Sequence, residues 1–328
     1  MNIDLVFLWV DGNDPAWLSR KNAFLGIKNT ENVENAINCE GRFANNDELK
    51  YSLRSVEKHI PWINKIFIVT DQQIPAWLDT SNPKIQIVDH TEILPKEALP
   101  CYNSLVIEYF LWKIPNLSEY FLYANDDMFI NADISPSFFF EKDGLPVVRL
   151  QRKILSKLRC VYKCLMRKEL STYQKQIIIA SQLIEKKYGK YFMGMPHHNI
   201  DAYRKTDYKE TVNVFENEIN SSLQHHLRSD KDVQRVIFAY YSIVMGKGHL
   251  KYVNRYESFV ISIIKKNYEQ YFLKYNPALF CINDGENSTD DDRLYMKTFL
   301  EKYFPEKSVF EKISDIRIMF AIIYMLLE

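Results

Sequence analysis

Short apolar runs that end in acidic or amide residues are the feature that most constrains this sequence. Four of them lie within the first 130 residues, and a fifth lies near position 280. They cover residues 3–10, 65–70, 84–88, 119–124 and 279–282, and they end at Asp11, Asp71, Asp89, Asn125-Asp126-Asp127 and Asn283-Asp284. Runs of this length and composition are typical of buried strands.

Helical patterns separate the runs. Leu49, Leu53 and Val56 lie on one face of a predicted helix that starts at Asn45 or Asn46 and stops before Pro61. Other helices are predicted from Pro15, over 103–114, from a capping pair at Ser229 and Asp232 to Gly246, over 290–303 and over 313–327. The alternation predicts an α/β fold with a mainly parallel sheet, flanking helices and a site at the carboxyl ends of the strands.

Residues 149–190 differ in charge from the rest of the chain. They hold twelve Lys or Arg and two Glu, whereas the whole chain has a formal net charge of zero. The segment contains no proline and is predicted to be a basic helical insertion. We therefore expect a catalytic domain whose first half is 1–148, an insertion over 149–191, and a second half with C-terminal helices over 192–328.

The composition excludes several classes of protein. The nine glycines form neither a Walker loop nor a dinucleotide-binding fingerprint, so any phosphate must be held by side chains, a metal or a helix N-terminus. The five cysteines are irregularly spaced and fit reduced thiols better than a zinc site. No apolar stretch reaches the ~20 residues of a spanning helix. We expect a cytoplasmic protein, with a peripheral position at the inner face of the plasma membrane as an option.

Acidic residues at strand ends are the first candidates for chemistry. Asp11, Asp126, Asp127 and Asp284 all follow apolar runs, and clustered carboxylates suit a hard cation that bridges phosphate oxygens. Neighbouring residues of a strand point in opposite directions, so only one of Asp126 and Asp127 is expected to be a direct ligand. A turn aspartate that caps the next helix is the alternative for Asp11.

Other polar residues have two interpretations each. His197 lies in an apolar loop and could be a general base, and His198 could serve instead. Arg228 could bind phosphate or lie on the surface, and Arg54 could face a site or solvent. Glu108 lies among apolar residues, so it forms either a core ion pair or part of a site.

Long stretches of the chain resemble the four conserved regions of the Stealth family. LWVDGNDPAW at 8–17 resembles the first, and RFANNDELKYSLRSVEKHIPWINKIFIVTD at 42–71 resembles the second, which continues through the Asn103-Ser104 turn to FLYANDDMFI at 121–130. MPHHNID at 195–201 with HLRSDKDVQ at 226–234 resembles the third. CINDGENS at 281–288 with YFPEKSVFE at 303–311 resembles the fourth.

The resemblance implies roles for individual residues. His197, Asp11 and Arg228 are expected to be catalytic, and Arg54, Asn103 and Glu108 to bind substrate. Asp127, Asp284 and Asp126 are expected to hold Mg²⁺ or Mn²⁺. Many family members have His-x-Pro-His in the third region, whereas this chain has Gly194 at the first histidine and an additional His198.

The resemblance also implies a reaction and a fold like that of nucleotide-sugar transferases. The expected function is transfer of a hexose or N-acetylhexosamine 1-phosphate from a UDP-sugar to a glycan hydroxyl, which builds a phosphodiester-linked capsular or surface polysaccharide. The expected acceptor is a glycan or a lipid-linked oligosaccharide, and no nucleic acid is expected. Segment 149–190 could contact an anionic membrane surface or the acceptor's phosphates. The alternatives are a metal-dependent glycosyltransferase that releases UDP and a non-catalytic binding protein.

Overall fold

The computed structural model describes residues 1–26, 43–153, 162, 165–166, 168–192, 194–285 and 287–312. The strands are β1 (Ile3–Leu8), β2 (Ile66–Thr70), β3 (Ile85–Asp89), β4 (Tyr120–Asn125), β5 (Met128–Ile130), β6 (Val147–Arg152), β7 (Gly194–Pro196), β8 (Asp201–Arg204), β9 (His249–Tyr252), β10 (Ser258–Ser262) and β11 (Leu279–Asn283). The α-helices are α1 (Pro15–Leu25), α2 (Glu48–His59), α3 (His90–Ile93), α4 (Ser104–Glu108), α5 (Thr172–Tyr188), α6 (Lys205–Val214), α7 (Glu216–Ser221), α8 (Val236–Val244), α9 (Tyr268–Tyr275) and α10 (Asp290–Tyr303).

The central sheet has the strand order β3-β2-β1-β4-β8. Its first four strands pair in parallel, and β8 runs antiparallel to β4 at the edge. All five residues of β2 are buried, which explains its uninterrupted apolar sequence. The predicted α/β class with a mainly parallel sheet is therefore confirmed.

Hydrophobic cores cover both faces of this sheet. Val6 of β1 belongs to one core, and its neighbours Leu5 and Phe7 belong to the other, as the alternation of side chains in a strand requires. The predicted apolar face of α2, formed by Leu49, Leu53 and Val56, packs into the second core. Two three-stranded sheets, β10-β11-β5 and β7-β6-β9, complete the fold.

The start of segment 149–191 is a strand, so the prediction of a wholly helical insertion is wrong there. Residues 149–152 belong to β6, which pairs with β7 and β9. Arg149, one of the twelve basic residues of this segment, is buried and pairs with Glu257 at 2.7 Å. Within the described part of the segment, α5 confirms the predicted helical character of its second half.

Two other predicted helices have different bounds. The capping pair Ser229 and Asp232 does not start a helix, because α8 begins at Val236 and the carboxylate of Asp232 instead accepts hydrogen bonds across a loop. The helix predicted over 103–114 ends at Glu108 and is followed by a short 3₁₀ turn. The helix predicted over 313–327 lies outside the described residues. None of the helices formed by the described residues combines the length and the apolar character needed to cross a bilayer.

Candidate active site

Four carboxylates form an acidic cluster near the carboxyl ends of β4 and β11: Glu48, Asp126, Asp127 and Asp284. Asp126 and Asp127 occupy the turn between β4 and β5, and Asp284 follows β11. Antiparallel pairing of β5 with β11 brings the two strand ends together, with the backbone N–H of Ile282 donating to the carbonyl of Asp127 at 3.1 Å. Glu48 joins them from the first turn of α2, a residue that the sequence analysis did not single out.

The charges of this cluster are poorly compensated. Burial raises the pKa of Asp127 to about 6, against the hydrogen bonds from Cys281 and Asn283. Burial likewise raises the pKa of Glu48 to about 7, although Asn46 donates two hydrogen bonds to it at 2.7 and 2.8 Å. Burial and the charge of Glu48 raise the pKa of Asp126 well above its ordinary value.

The cluster fits a cation. Among the described residues, neither Glu48, Asp126 nor Asp127 forms an ion pair, and Oδ1 of Asp127 is enclosed without a hydrogen-bond partner. Asp284 differs because Arg293 pairs with it at 2.9 Å. An enclosed carboxylate oxygen without a donor is costly unless a cation or a proton reaches it. The carboxylates present are therefore suitable ligands for a divalent ion.

His198 and Cys281 lie beside Asp127. One potential ligand atom from each of the three side chains lies within 4.8 Å of the others, and Cys281 Sγ is 3.3 Å from Asp127 Oδ2. His198 has a φ of 52°, in the left-handed region, and its Nε2 lies 3.3 Å from the amide nitrogen of Asn283. Burial lowers the pKa of His198 to about 4, with help from the charges of Arg235 and Arg228.

His197 belongs to a buried hydrogen-bonded chain. Its side chain is 1% exposed, its Nδ1 lies 2.9 Å from Ser258 Oγ, and its Nε2 lies 2.9 Å from Asp201 Oδ1. Burial would raise the pKa of Asp201, but the charges of Arg235 and His197 lower it to about 2. Whenever the ring carries a single proton, an ionised Asp201 favours that proton on Nε2, which leaves Nδ1 to accept from the Ser258 hydroxyl.

Arg235 is a second residue that the sequence analysis missed. It is buried and contacts Asp201 at 2.7 Å and Glu108 at 3.1 Å. Glu108 also accepts a hydrogen bond from Tyr123 at 3.0 Å, yet burial raises the pKa of its carboxyl group. The predicted alternative of a core ion pair for Glu108 is the arrangement observed. An arginine within the apolar run VQRVIFAYY could have suggested a buried cation.

Arg228 lies in the loop before α8, and its guanidinium donates to the hydroxyl of Ser104. Within the described part of the chain it has no ion-pair partner, so its charge is available to an anion. Asn103 holds this loop, because its amide nitrogen donates to the carbonyl of His225 at 3.0 Å and to Asp232 at 2.9 Å. The positive charges of Arg235 and Arg228 both lower the pKa of His198.

Asp11 and Arg54 have local partners. Asp11 follows β1, where its carboxylate accepts from the backbone of Asn13 at 2.9 Å, and its backbone exchanges hydrogen bonds with the Gln73 side chain. Arg54 makes two contacts with Glu311, at 2.7 and 2.8 Å, and a third with the carbonyl of Phe304. Arg54 thus ties α2 to the segment that follows α10.

Comparison with known proteins places the chain in a family. The models of Stealth protein conserved region 1 and conserved region 2 match residues 1–28 and 42–148. A capsular polysaccharide phosphotransferase of Neisseria meningitidis serogroup B is 32% identical over 92% of this chain and 82% of the relative. The capsular polysaccharide phosphotransferase fcs1 of Haemophilus influenzae is 35% identical over 92% and 84%.

A further relative is the exopolysaccharide phosphotransferase cps2G of Lactiplantibacillus plantarum, which is 30% identical over 95% of this chain and 96% of its own. Among solved structures, the galactosyltransferase LgtC with donor and acceptor sugar analogues aligns over 95% of this chain and 98% of its own, with 13% identity and a TM-score of 0.48. On the sequence relatives, this chain is an enzyme of the Stealth family.

Proposed function

We propose that this enzyme transfers a hexose or N-acetylhexosamine 1-phosphate from a UDP-sugar to a glycan hydroxyl, and so builds a phosphodiester-linked capsular or surface polysaccharide. The observation that carries the proposal is the acidic cluster, in which Asp127 lies beside His198 and has an unpartnered carboxylate oxygen. The positive charges of Arg235 and Arg228 both lower the pKa of this histidine. Phosphoryl transfer needs this combination, because the diphosphate must be neutralised and the leaving group stabilised. The names of the relatives support the same reaction class.

Each predicted residue has a part in this proposal. Asp127, with Asp126 and Asp284, would hold Mg²⁺ or Mn²⁺, which when bound supplies positive charge to the diphosphate. Arg228 would bind the phosphate of the departing nucleotide monophosphate. Asp11 would line the same edge of the sheet from the end of β1. The contacts favour positioning roles for three others: Glu108 holds Arg235, Asn103 holds the loop of Arg228, and Arg54 holds α2.

The acceptor hydroxyl must lose a proton, and His197 is the proposed base. Asp201 orients its ring and would stabilise the imidazolium, as a carboxylate does for a catalytic histidine. The proton would arrive at Nδ1, the atom that now accepts from Ser258. The acceptor hydroxyl would therefore replace the Ser258 hydroxyl at this position or pass its proton through it.

The nucleotide product tests the reaction. Attack on phosphorus releases UMP from a UDP-sugar and leaves a phosphodiester in the glycan, which phosphorus NMR detects. Excess EDTA should abolish turnover if a cation neutralises the diphosphate. Release of UDP, with no phosphorus in the product, would instead establish the glycosyltransferase alternative.

We also propose that the enzyme works at the inner face of the plasma membrane on a lipid-linked oligosaccharide. The support is the excess of positive charge in segment 149–190. Two of its basic residues already form ion pairs, Arg149 with Glu257 and Lys175 with Asp230. Exposed Lys186 and Lys187 lie at the end of α5. Each basic residue near an anionic surface contributes ~1 kcal/mol of attraction. Co-sedimentation with anionic vesicles at physiological salt should be lost after Lys/Arg→Gln changes in the segment, and absence of binding contradicts the proposal.

A further inference from the structure

Three side chains of different chemistry converge beside the acidic cluster. The ligand atoms of Asp127, His198 and Cys281 lie within 4.8 Å of one another. The 3.3 Å between Cys281 Sγ and Asp127 Oδ2 is close to the ~3.5 Å that separates a sulfur and an oxygen on one tetrahedral ion, as worked from usual zinc–ligand bond lengths. A thiol, an imidazole and a carboxylate so placed could bind one ion between them, with Cys281 losing to solvent the proton that it now donates to Asp127.

An unpartnered carboxylate oxygen points to a ligand at this position. Oδ1 of Asp127 is enclosed and has no hydrogen-bond partner among the described residues, so neither water nor a protein donor stabilises its negative charge. The backbone of His198 lies in the left-handed region, with a φ of 52°. The side-chain amide of Asn283 lies 3.3 Å from Nε2 of His198, and with its oxygen turned to this atom it would accept the Nε2 hydrogen and leave Nδ1 for the cation.

We propose that Cys281 and His198 coordinate the cation together with Asp127, so that of the cations considered above the site takes Mn²⁺ or another transition-metal ion in preference to Mg²⁺. Sulfur and imidazole ligands favour zinc-like ions, whereas Mg²⁺ prefers oxygen ligands and retains several waters. With three protein ligands, a fourth position stays open for a phosphate oxygen, as in catalytic zinc sites. This inference adds the ligands of the cation to the proposed function, and the role of the cation in catalysis rests on that function.

Cobalt provides the test, because a thiolate bound to Co²⁺ gives a charge-transfer band in the near ultraviolet. The full chain is used with Cys39, Cys160 and Cys164 replaced by serine, so that Cys101 and Cys281 are its remaining thiols. Co²⁺ is titrated into the metal-free protein without nucleotide or glycan. We expect the band in this background and its loss in Cys281→Ser, with an affinity for Co²⁺ at least ~10-fold lower. The affinity for Mg²⁺ should change less than 3-fold.

Cys101→Ser is the matched control, because Cys101 is also buried but lies against the carbonyl of Asn103. It should keep the band. His198→Asn is the second variant, since asparagine tolerates a left-handed backbone, and it should weaken Co²⁺ binding even if Cys281→Ser fails to fold.

A cobalt complex without the charge-transfer band, or a band that survives Cys281→Ser, would overturn the assignment. Tighter binding of Mg²⁺ than of Co²⁺ would overturn it as well. None of these measurements includes substrate, so their failure is separate from a failure of the proposed reaction, which is read from UMP or UDP release.

Discussion

Replacing Glu48 by glutamine measures the electrostatic cost of the acidic cluster in the metal-free enzyme. Burial raises the pKa of Glu48 from its ordinary value of 4.5 to about 7. A carboxyl group whose pKa is raised by folding stabilises the protein below pH 4.5, and this contribution is lost as the pH rises through 7. At 1.36 kcal/mol for each pKa unit, the full loss is about 3 kcal/mol.

The glutamine variant cannot lose this contribution, because its amide does not ionise. Asn46 can turn its own amide to accept from the new NH₂ group, so the local hydrogen bonds survive. The measured quantity is the free energy of unfolding of Glu48→Gln minus that of the original enzyme, both in EDTA. This difference should become about 2–3 kcal/mol more favourable to the variant between pH 5 and pH 8.

Urea denaturation at several pH values provides the assay, with Glu306→Gln at an exposed position as the control. A saturating divalent cation should remove the advantage of the variant at pH 8, since the cation compensates the same charge. A difference between variant and original enzyme that stays constant from pH 5 to pH 8 would refute the reasoning, because Glu48 would then titrate as an ordinary carboxyl group.

Three other substitutions have definite expected outcomes. Arg54→Ala leaves Glu311 without its partner in a largely buried pair, so the free energy of unfolding measured in urea should fall by about 3–5 kcal/mol. Asn103→Ala removes the donor to Asp232 and to two loop carbonyls, so the free energy of unfolding, measured by thermal unfolding, should fall by about 1–3 kcal/mol. His197→Gln should reduce kcat by ~10²–10⁴ while donor binding measured by calorimetry stays near normal. A kcat within 3-fold of the original would exclude His197 as the base.

Local sequence patterns anticipated the framework of the fold. The apolar runs predicted β1 to β4 and β11, since each strand is short, buried and followed by polar residues at the sheet edge. The same reasoning grouped Asp126, Asp127 and Asp284 as strand-end carboxylates, but Asp284 follows β11 of the β10-β11-β5 sheet and comes near Asp127 through the antiparallel pairing of β11 with β5. The prediction failed at β6, where Arg149 counted toward a basic helical insertion, because its buried ion pair depends on a partner more than 100 residues away.

Helix boundaries were less predictable for a related reason. Ser229 and Asp232 have the spacing of a capping pair, yet Asp232 is engaged by Asn103, which lies 129 residues earlier in the chain. A local signal of about 1 kcal/mol is outweighed when a buried carboxylate finds stronger long-range donors. The same loop carries Arg228, so this long-range contact decides the position of a site residue.

The sequence by itself determined the fold class, the family and the acidic edge of the sheet, because periodicity, turn residues and long motifs are properties of neighbouring residues. Only the tertiary structure decided which side chains share the site. Glu48 comes from a helix, His198 from a loop and Cys281 from a strand, and pairing of β5 with β11 brings the last of them to Asp127. Contacts between residues this far apart depend on how the whole chain packs, and no local pattern encodes them.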